Sequence, residues 1–284
     1  MNAGIKIAGL NINIKNIPFM NDETEDIYVE KYFKEPDFEY KVILSEEDFV
    51  LKGVCILRDG KKSIYSLDNG NYAIKFFIDT KDGKTICYTF FDFENGCANI
   101  YIPSSFAFDE SNTENFISLL TLDFLLIQYQ RVVMTGTLVN CDSKGYIVSG
   151  PTTKSVDELV HLWKSEDDIK IISEHQVIID GSGDELKAWG TLPRTEQDLV
   201  SDRVIGIDKI VIANKADELN SKLVRGSGLY KNIIPRISMV TWNAELLEKS
   251  MNVVDSVIAN VDIYEYSYTL DNDAIDYLNK YIIE

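Results

Sequence analysis

Between residues 59 and 96 the chain carries four Asx-Gly pairs: Asp59-Gly60, Asn69-Gly70, Asp82-Gly83 and Asn95-Gly96. Each lies between β-favouring segments such as "YAIKFFID" and "TICYTFFDF". Such pairs supply the φ > 0 residues that two-residue hairpins need, so they predict consecutive antiparallel strands. Upstream, "IKIAGLNINIKN" ends in the apolar/polar alternation of a half-buried strand. Residues 1–104 therefore read as an antiparallel meander or sandwich, interrupted by the acidic stretch "NDETEDIYVEKYFKEPDFEYKV", and residues 1–110 as a β-rich N-terminal portion. The run Asn21 to Asp26 reads as solvated loop, with a landing strip for a basic peptide as the alternative.

From residue 111 the pattern changes. "SNTENFISLLTLDFLLIQYQ" has Phe116, Leu119, Leu120, Phe124 and Ile127 at helical spacing, with Asn112 or Thr113 as the cap. The strands "RVVMTGTLV" and "GYIVSG" follow, and then "SVDELVHLW", with Val156, Leu159, Val160 and Trp163 on one helical face. Ser155 and Glu158 have the spacing of a capping box. "IKIISE", "QVIID", "LKAWG" and "IDKIVIA" read as strands, "NAELLEKSMNVVDSVIANV" as a long amphipathic helix, and the end as a strand followed by a capped helix. Residues 111–284 thus predict an α/β core.

Composition narrows the function. With 45% hydrophobic and 26% charged residues the chain is a folding one. Its net charge of −18 repels nucleic acid and anionic lipid, but suits a cationic peptide or a protein partner and leaves a homo-oligomer open. The start lacks the apolar region of a signal peptide, and the longest apolar stretch, residues 116–129, is too short to span a bilayer and contains Asp123. A cytoplasmic protein is expected, with Cys55, Cys87, Cys97 and Cys141 reduced and buried. Two histidines, His161 and His175, cannot build a His-rich metal site. "NKAD" at residues 214–217 imitates a guanine-specificity motif, but no phosphate loop or DxxG segment accompanies it; Asn214 and Asp217 are expected to cap a helix. No Gly-x-Ser-x-Gly elbow is present.

Several stretches together carry a family likeness. "IKIAGLNINI", "VVMTGTLVN", "GYIVSGP", "LVHLW", "IKIISEHQVII", "AWGTLP" and "VDIYEYSYTLDNDAIDYL" resemble, in this order, segments of the HPr kinase-like branch of the P-loop fold shared with phosphoenolpyruvate carboxykinases. The resemblance implies an HPr kinase/carboxykinase-like P-loop core behind the β-rich N-terminal portion. It also implies a phosphate loop, GxxxxGK[ST], at residues 150–157. Without a gap, Gly150 matches the first glycine, Ser155 the second, Val156 the lysine and Asp157 the Mg²⁺-binding hydroxyl. Pairing Lys154 and Ser155 with the family's Lys-Ser instead shortens the loop by two residues; the ungapped pairing keeps Leu159, Leu162 and Trp163 in register. The family's histidine falls at Thr135 and its paired aspartates at Glu174 and His175.

Gly150, Pro151, Thr152, Thr153, Lys154 and Ser155 therefore read as a vestigial nucleotide loop. The expectation is a degenerate, pseudokinase-like protein that binds a peptide or protein partner, with Asp157 and Glu174 facing one another as partner-binding carboxylates. No cofactor is expected. The alternative is a divergent peptide or protein Ser/Thr kinase using ATP and Mg²⁺, with Glu174 as base or metal ligand and Lys154 as a displaced phosphate contact.

Overall fold

The computed structural model describes residues 2–17, 32–80, 83–104, 113–164, 169–191 and 203–283. The acidic run at 21–26, Asn112 and Asp82 lie outside them. The chain forms a mixed α/β structure in two compact units, Met1–Leu122 and Asp123–Glu284.

The first unit is built on one eight-stranded sheet. Its strands are β1 (Ala3–Ile7), β2 (Leu10–Lys15), β3 (Phe38–Leu44), β4 (Gly53–Arg58), β5 (Lys62–Leu67), β6 (Tyr72–Thr80), β7 (Gly83–Asp92) and β8 (Cys97–Ile102). Their order is β1-β2-β3-β8-β7-β6-β5-β4. The run from β4 to β8 is the antiparallel meander that the Asx-Gly pairs predict. The loop between β4 and β5 is longer than two residues: Arg58 pairs with Ser63, and the Asp59 carboxylate accepts the Lys61 and Lys62 N–H groups. One expectation fails. β3 is parallel to both neighbours, β2 and β8, so the sheet is mixed. Parallel pairing needs a long crossover, and residues 16–37 supply one, while β3 to β4 crosses to the far edge of the sheet.

One face of this sheet, including Tyr40, Ile74, Cys87, Thr89, Phe91 and Ile100, is fully buried. Helix α1 (Thr113–Leu120) packs on β7, with the Thr89 hydroxyl donating to the Leu119 carbonyl at 2.8 Å and the Tyr40 hydroxyl to the Leu120 carbonyl at 2.6 Å. The single helix predicted here is therefore two. Sheet hydroxyls satisfy carbonyls at the end of α1, Thr121 takes φ 46°, and α2 (Leu122–Gln128) begins anew. Burial holds the Cys87 thiol up at about 12, while Cys55, expected to be buried, is exposed.

The second unit contains β9 (Arg131–Thr135), β10 (Thr137–Cys141), β11 (Lys144–Ser149), α3 (Thr153–Trp163), β12 (Ile169–Ser173), β13 (Gln176–Asp180), β14 (Lys187–Trp189), β15 (Val204–Lys215), β16 (Asn220–Leu223), α4 (Ser227–Ile233), β17 (Ile237–Ser238), α5 (Ala244–Asn260), β18 (Asp262–Tyr268) and α6 (Asn272–Leu278). β15 is the hinge of the sheet. Residues 204–206 pair antiparallel with β14, and the rest runs parallel to β11 and β18. Asn243 and Asp271 cap α5 and α6 by accepting the N–H groups of Leu246 and Ala274. Asn214 and Asp217 cap no helix: β15 turns into β16, and the Asn214 amide donates to the Ile212 carbonyl.

Helix α3 supplies the centre of this unit's core. Val156, Leu159, Val160 and Trp163 are buried against Tyr146, Val148, Val211, Ala213, Tyr266 and Tyr268. Fully burying an aliphatic or aromatic side chain stabilises a fold by about 1.5–3 kcal/mol. The helix is thus fixed by its apolar stripe. Among the described residues, no helix is long and apolar enough to cross a membrane.

Candidate functional site

The positions singled out at Thr135, Gly150, Asp157, Glu174 and His175 converge on one corner of the second unit, joined there by Thr191. Two nearly continuous strands bend there side by side. β9 passes into β10 at Gly136, and β12 passes into β13 at Glu174 and His175. Thr135 pairs with Gln176, and Leu138 with Ser173. The Gly136 N–H donates to the His175 carbonyl at 3.0 Å and ties the two bends together. A Cβ on Gly136 would stand 2.8 Å from the Val148 carbonyl oxygen, which is why a glycine interrupts "VVMTGTLV". His175 adopts φ 64°, an uncommon conformation for a non-glycine residue.

Hydroxyls hold the corner together. Ser149 donates to the Thr135 carbonyl at 2.6 Å, and Ser173 donates to the Gln176 carbonyl at 2.7 Å while accepting the Thr191 N–H at 3.3 Å. Both serines are fully buried, and their hydroxyl protons are committed to main-chain carbonyls. They serve the bend. Sequence reasoning missed them, although each ends a strand at the point where the ladder turns.

The loop after β11 is shorter than a phosphate loop. Only Gly150, Pro151 and Thr152 separate β11 from α3. Thr152 is the N-cap: its hydroxyl accepts the Ser155 N–H at 3.2 Å, and its carbonyl accepts the Ser155 hydroxyl at 2.8 Å. The expected capping box at Ser155 and Glu158 is therefore corrected. Thr152 is the first polar residue after the Gly-Pro turn, so the helix starts a turn earlier and Ser155 falls at its third position. Thr153, Lys154 and Ser155 form the first turn of α3, and Pro151 has no N–H. The Tyr268 hydroxyl, its pKa pushed up to about 12 by burial, donates to the Ser155 carbonyl at 2.5 Å and pins this turn to β18.

Val156 is 5% exposed and belongs to the core. The Lys154 side chain is 85% exposed, with its ammonium 4.0 Å from Glu158; Lys215, from the end of the "NK" segment, approaches Glu158 at 3.1 Å. Asp157 faces His175 at 3.6 Å, both side chains being somewhat more than a third exposed. Asp157, expected to face Glu174, thus meets the residue after it, His175, in an acid–imidazole contact. Among the described residues, no group of three or more His, Cys, Asp or Glu side chains is placed to hold a metal ion.

Packing requires a glycine at position 150. A Cβ there would lie 2.8 Å from the Ala213 carbonyl oxygen, 3.0 Å from Val156 Cγ2 and 3.1 Å from Ser155 Oγ. Gly150→Ala is expected to destabilise the unit by about 1–3 kcal/mol, because the backbone oxygen cannot give way. A shifted urea midpoint with an unchanged slope checks this, and an unchanged midpoint contradicts it.

No family model matches the chain, and no curated protein matches it. Among solved structures, the HPr(Ser) kinase/phosphatase from Coxiella burnetii aligns over 50% of this chain and 89% of its own, with 6% identity and a TM-score of 0.29. A likeness that weak carries no argument about the fold or the activity of this protein.

Proposed function

We propose that this chain is a non-catalytic binding protein that engages a peptide or protein partner. What supports the reading is the first turn of α3. The Ser155 N–H is spent on the Thr152 cap, Pro151 has no N–H to offer, and the position of the phosphate lysine is a core valine, Val156. Asp157, beyond the first turn of the helix, stands at the position of the Mg²⁺-binding hydroxyl and meets His175. The carboxylates of Asp157 and Glu174 and the imidazole of His175 leave a polar edge at the bend, suited to a basic or hydrogen-bonding side chain of a partner.

A nucleotide titration tests the reading. A ligand at about 100 times its dissociation constant raises stability by about 2.7 kcal/mol. Millimolar Mg-ATP or Mg-GTP is expected to leave the melting temperature unchanged. A rise of several degrees with either nucleotide, absent with AMP, overturns the reading and favours a divergent kinase using Glu174 and Lys154.

A further inference from the structure

The second face of the N-terminal sheet carries Lys75 and Phe77 of β6, Tyr88 and Phe90 of β7, and Tyr101 of β8. Lys75 pairs with Tyr88, and Tyr88 with Tyr101, so the three stand in one row. The Lys75 ammonium lies 5.3 Å from the Tyr88 ring centre and 5.8 Å from that of Phe77. Tyr101 and Phe90 meet edge to face at 5.4 Å. This face therefore combines an aromatic platform with a cation, within a chain of net charge −18.

Residues 45–52, "SEEDFVLK", connect β3 to β4 at the far edge of the sheet, and so lie against this face. Two side chains dock. Phe49 packs edge to face on Tyr101, Tyr88 and Phe90, at 4.6, 5.2 and 5.4 Å between ring centres. The Asp48 carboxylate accepts the Tyr88 hydroxyl and faces the Lys75 ammonium at 3.4 Å. The Tyr88 hydroxyl, and after it Lys75, hold the Asp48 carboxyl below the usual carboxylate range.

The main chain contributes little to this docking. The Ser45 N–H reaches the Ile102 carbonyl and the Glu46 carboxylate accepts the Ser104 N–H, but among the described residues no main-chain hydrogen bond is made by residues 48–52. Val50, next to Phe49 on the segment, is 88% exposed. A connection held on the sheet face by the side chains of Asp48 and Phe49 has the form of a ligand bound in cis.

We propose that this face is a recognition surface for an acidic residue followed by an aromatic one in an extended peptide, and that Asp48 and Phe49 fill it until a partner segment of the same chemistry displaces them. Lys75 and the Tyr88 hydroxyl read the carboxylate, and the ring cluster reads the aromatic side chain. The proposal concerns a different unit from the bend at Gly136 and does not rest on the reading given for that site.

The probe is a fluorescein-labelled peptide of sequence SEEDFVLK, followed by anisotropy against the full chain. Asp48→Ala with Phe49→Ala empties the surface. In the intact chain the tethered copy competes at an effective concentration on the order of millimolar. The emptied variant is therefore expected to bind the peptide at least ~10-fold more tightly than the intact chain. Adding Lys75→Ala or Tyr101→Ala is expected to abolish the gain, and the peptide SEEAAVLK is expected not to bind. Failure of the folded, emptied variant to bind overturns the proposal, as does binding that survives Lys75→Ala and Tyr101→Ala. Should the double variant not fold, Asp48→Ala alone, whose side chain is 76% exposed, still predicts a measurable gain, and no gain overturns the proposal. Sedimentation runs beside it: a dimer of the intact chain that the emptied variant loses makes a second copy the occupant and overturns the assignment to a partner peptide.

Discussion

Val156→Lys, the substitution that writes the missing lysine back into the phosphate loop, is expected to unfold or severely destabilise the C-terminal unit. Val156 is 5% exposed and packs in the cluster built by Val148, Leu159, Tyr268 and Trp163. Its N–H is already within the first turn of the helix, donating to the Thr152 carbonyl. Burial lowers a lysine pKa by roughly 3–5 units, and each unit is about 1.4 kcal/mol, so keeping an ammonium there costs about 4–7 kcal/mol. Val156→Ile keeps the chemistry, adds one methylene, and is expected to cost about 1–3 kcal/mol. Urea unfolding of the two variants gives the comparison. Wild-type stability in Val156→Lys would place this side chain at a loop edge, and Mg-ATP binding gained by it would mean that a cradle had been restored. Neither is expected.

That contrast marks the limit of what the sequence makes legible. The apolar stripe of Val156, Leu159, Val160 and Trp163 is a local period, and the structure buries all four. The long helix at α5 and the antiparallel strands around Asn69-Gly70 and Asn95-Gly96 are legible for the same reason: neighbours in sequence decide them. The capping residue of α3 is decided by where the strand before it stops. That point is set by Gly150 passing against Ala213 on β15, a contact across 63 positions. Thr121 breaks a helix whose pattern is continuous, because Tyr40 and Thr89 are far along the chain and take its last carbonyls. β3 is parallel to β8 for a reason that no local pattern carries, the length of the connections on either side of it. At the candidate site, spacing pointed to the corner, but not to the serine hydroxyls that hold it or to the histidine that meets Asp157. Those depend on which strands lie side by side.

Trp163→Ala is expected to cost about 3–5 kcal/mol, the range for emptying a large core site. Trp163 is fully buried, at the C-terminal end of the α3 stripe, with its ring edge to face with Tyr146 at 5.9 Å. Its indole N–H finds no acceptor among the described residues, and a buried unsatisfied donor costs about 1–3 kcal/mol. Trp163→Phe removes that donor together with part of the ring, so the two terms oppose and the net loss is expected to stay under about 1.5 kcal/mol. Asp157→Asn, on the exposed side of the same helix, is expected to change stability by no more than about 0.5 kcal/mol. The three variants together separate two uses of one helix. If the buried stripe serves the fold and the exposed end serves a partner, Trp163→Ala shifts the urea midpoint strongly and Asp157→Asn does not. A large loss in Asp157→Asn would instead make its contact with His175 part of what holds the bend at Gly136 together, and Asp157 would then serve the fold and not a partner.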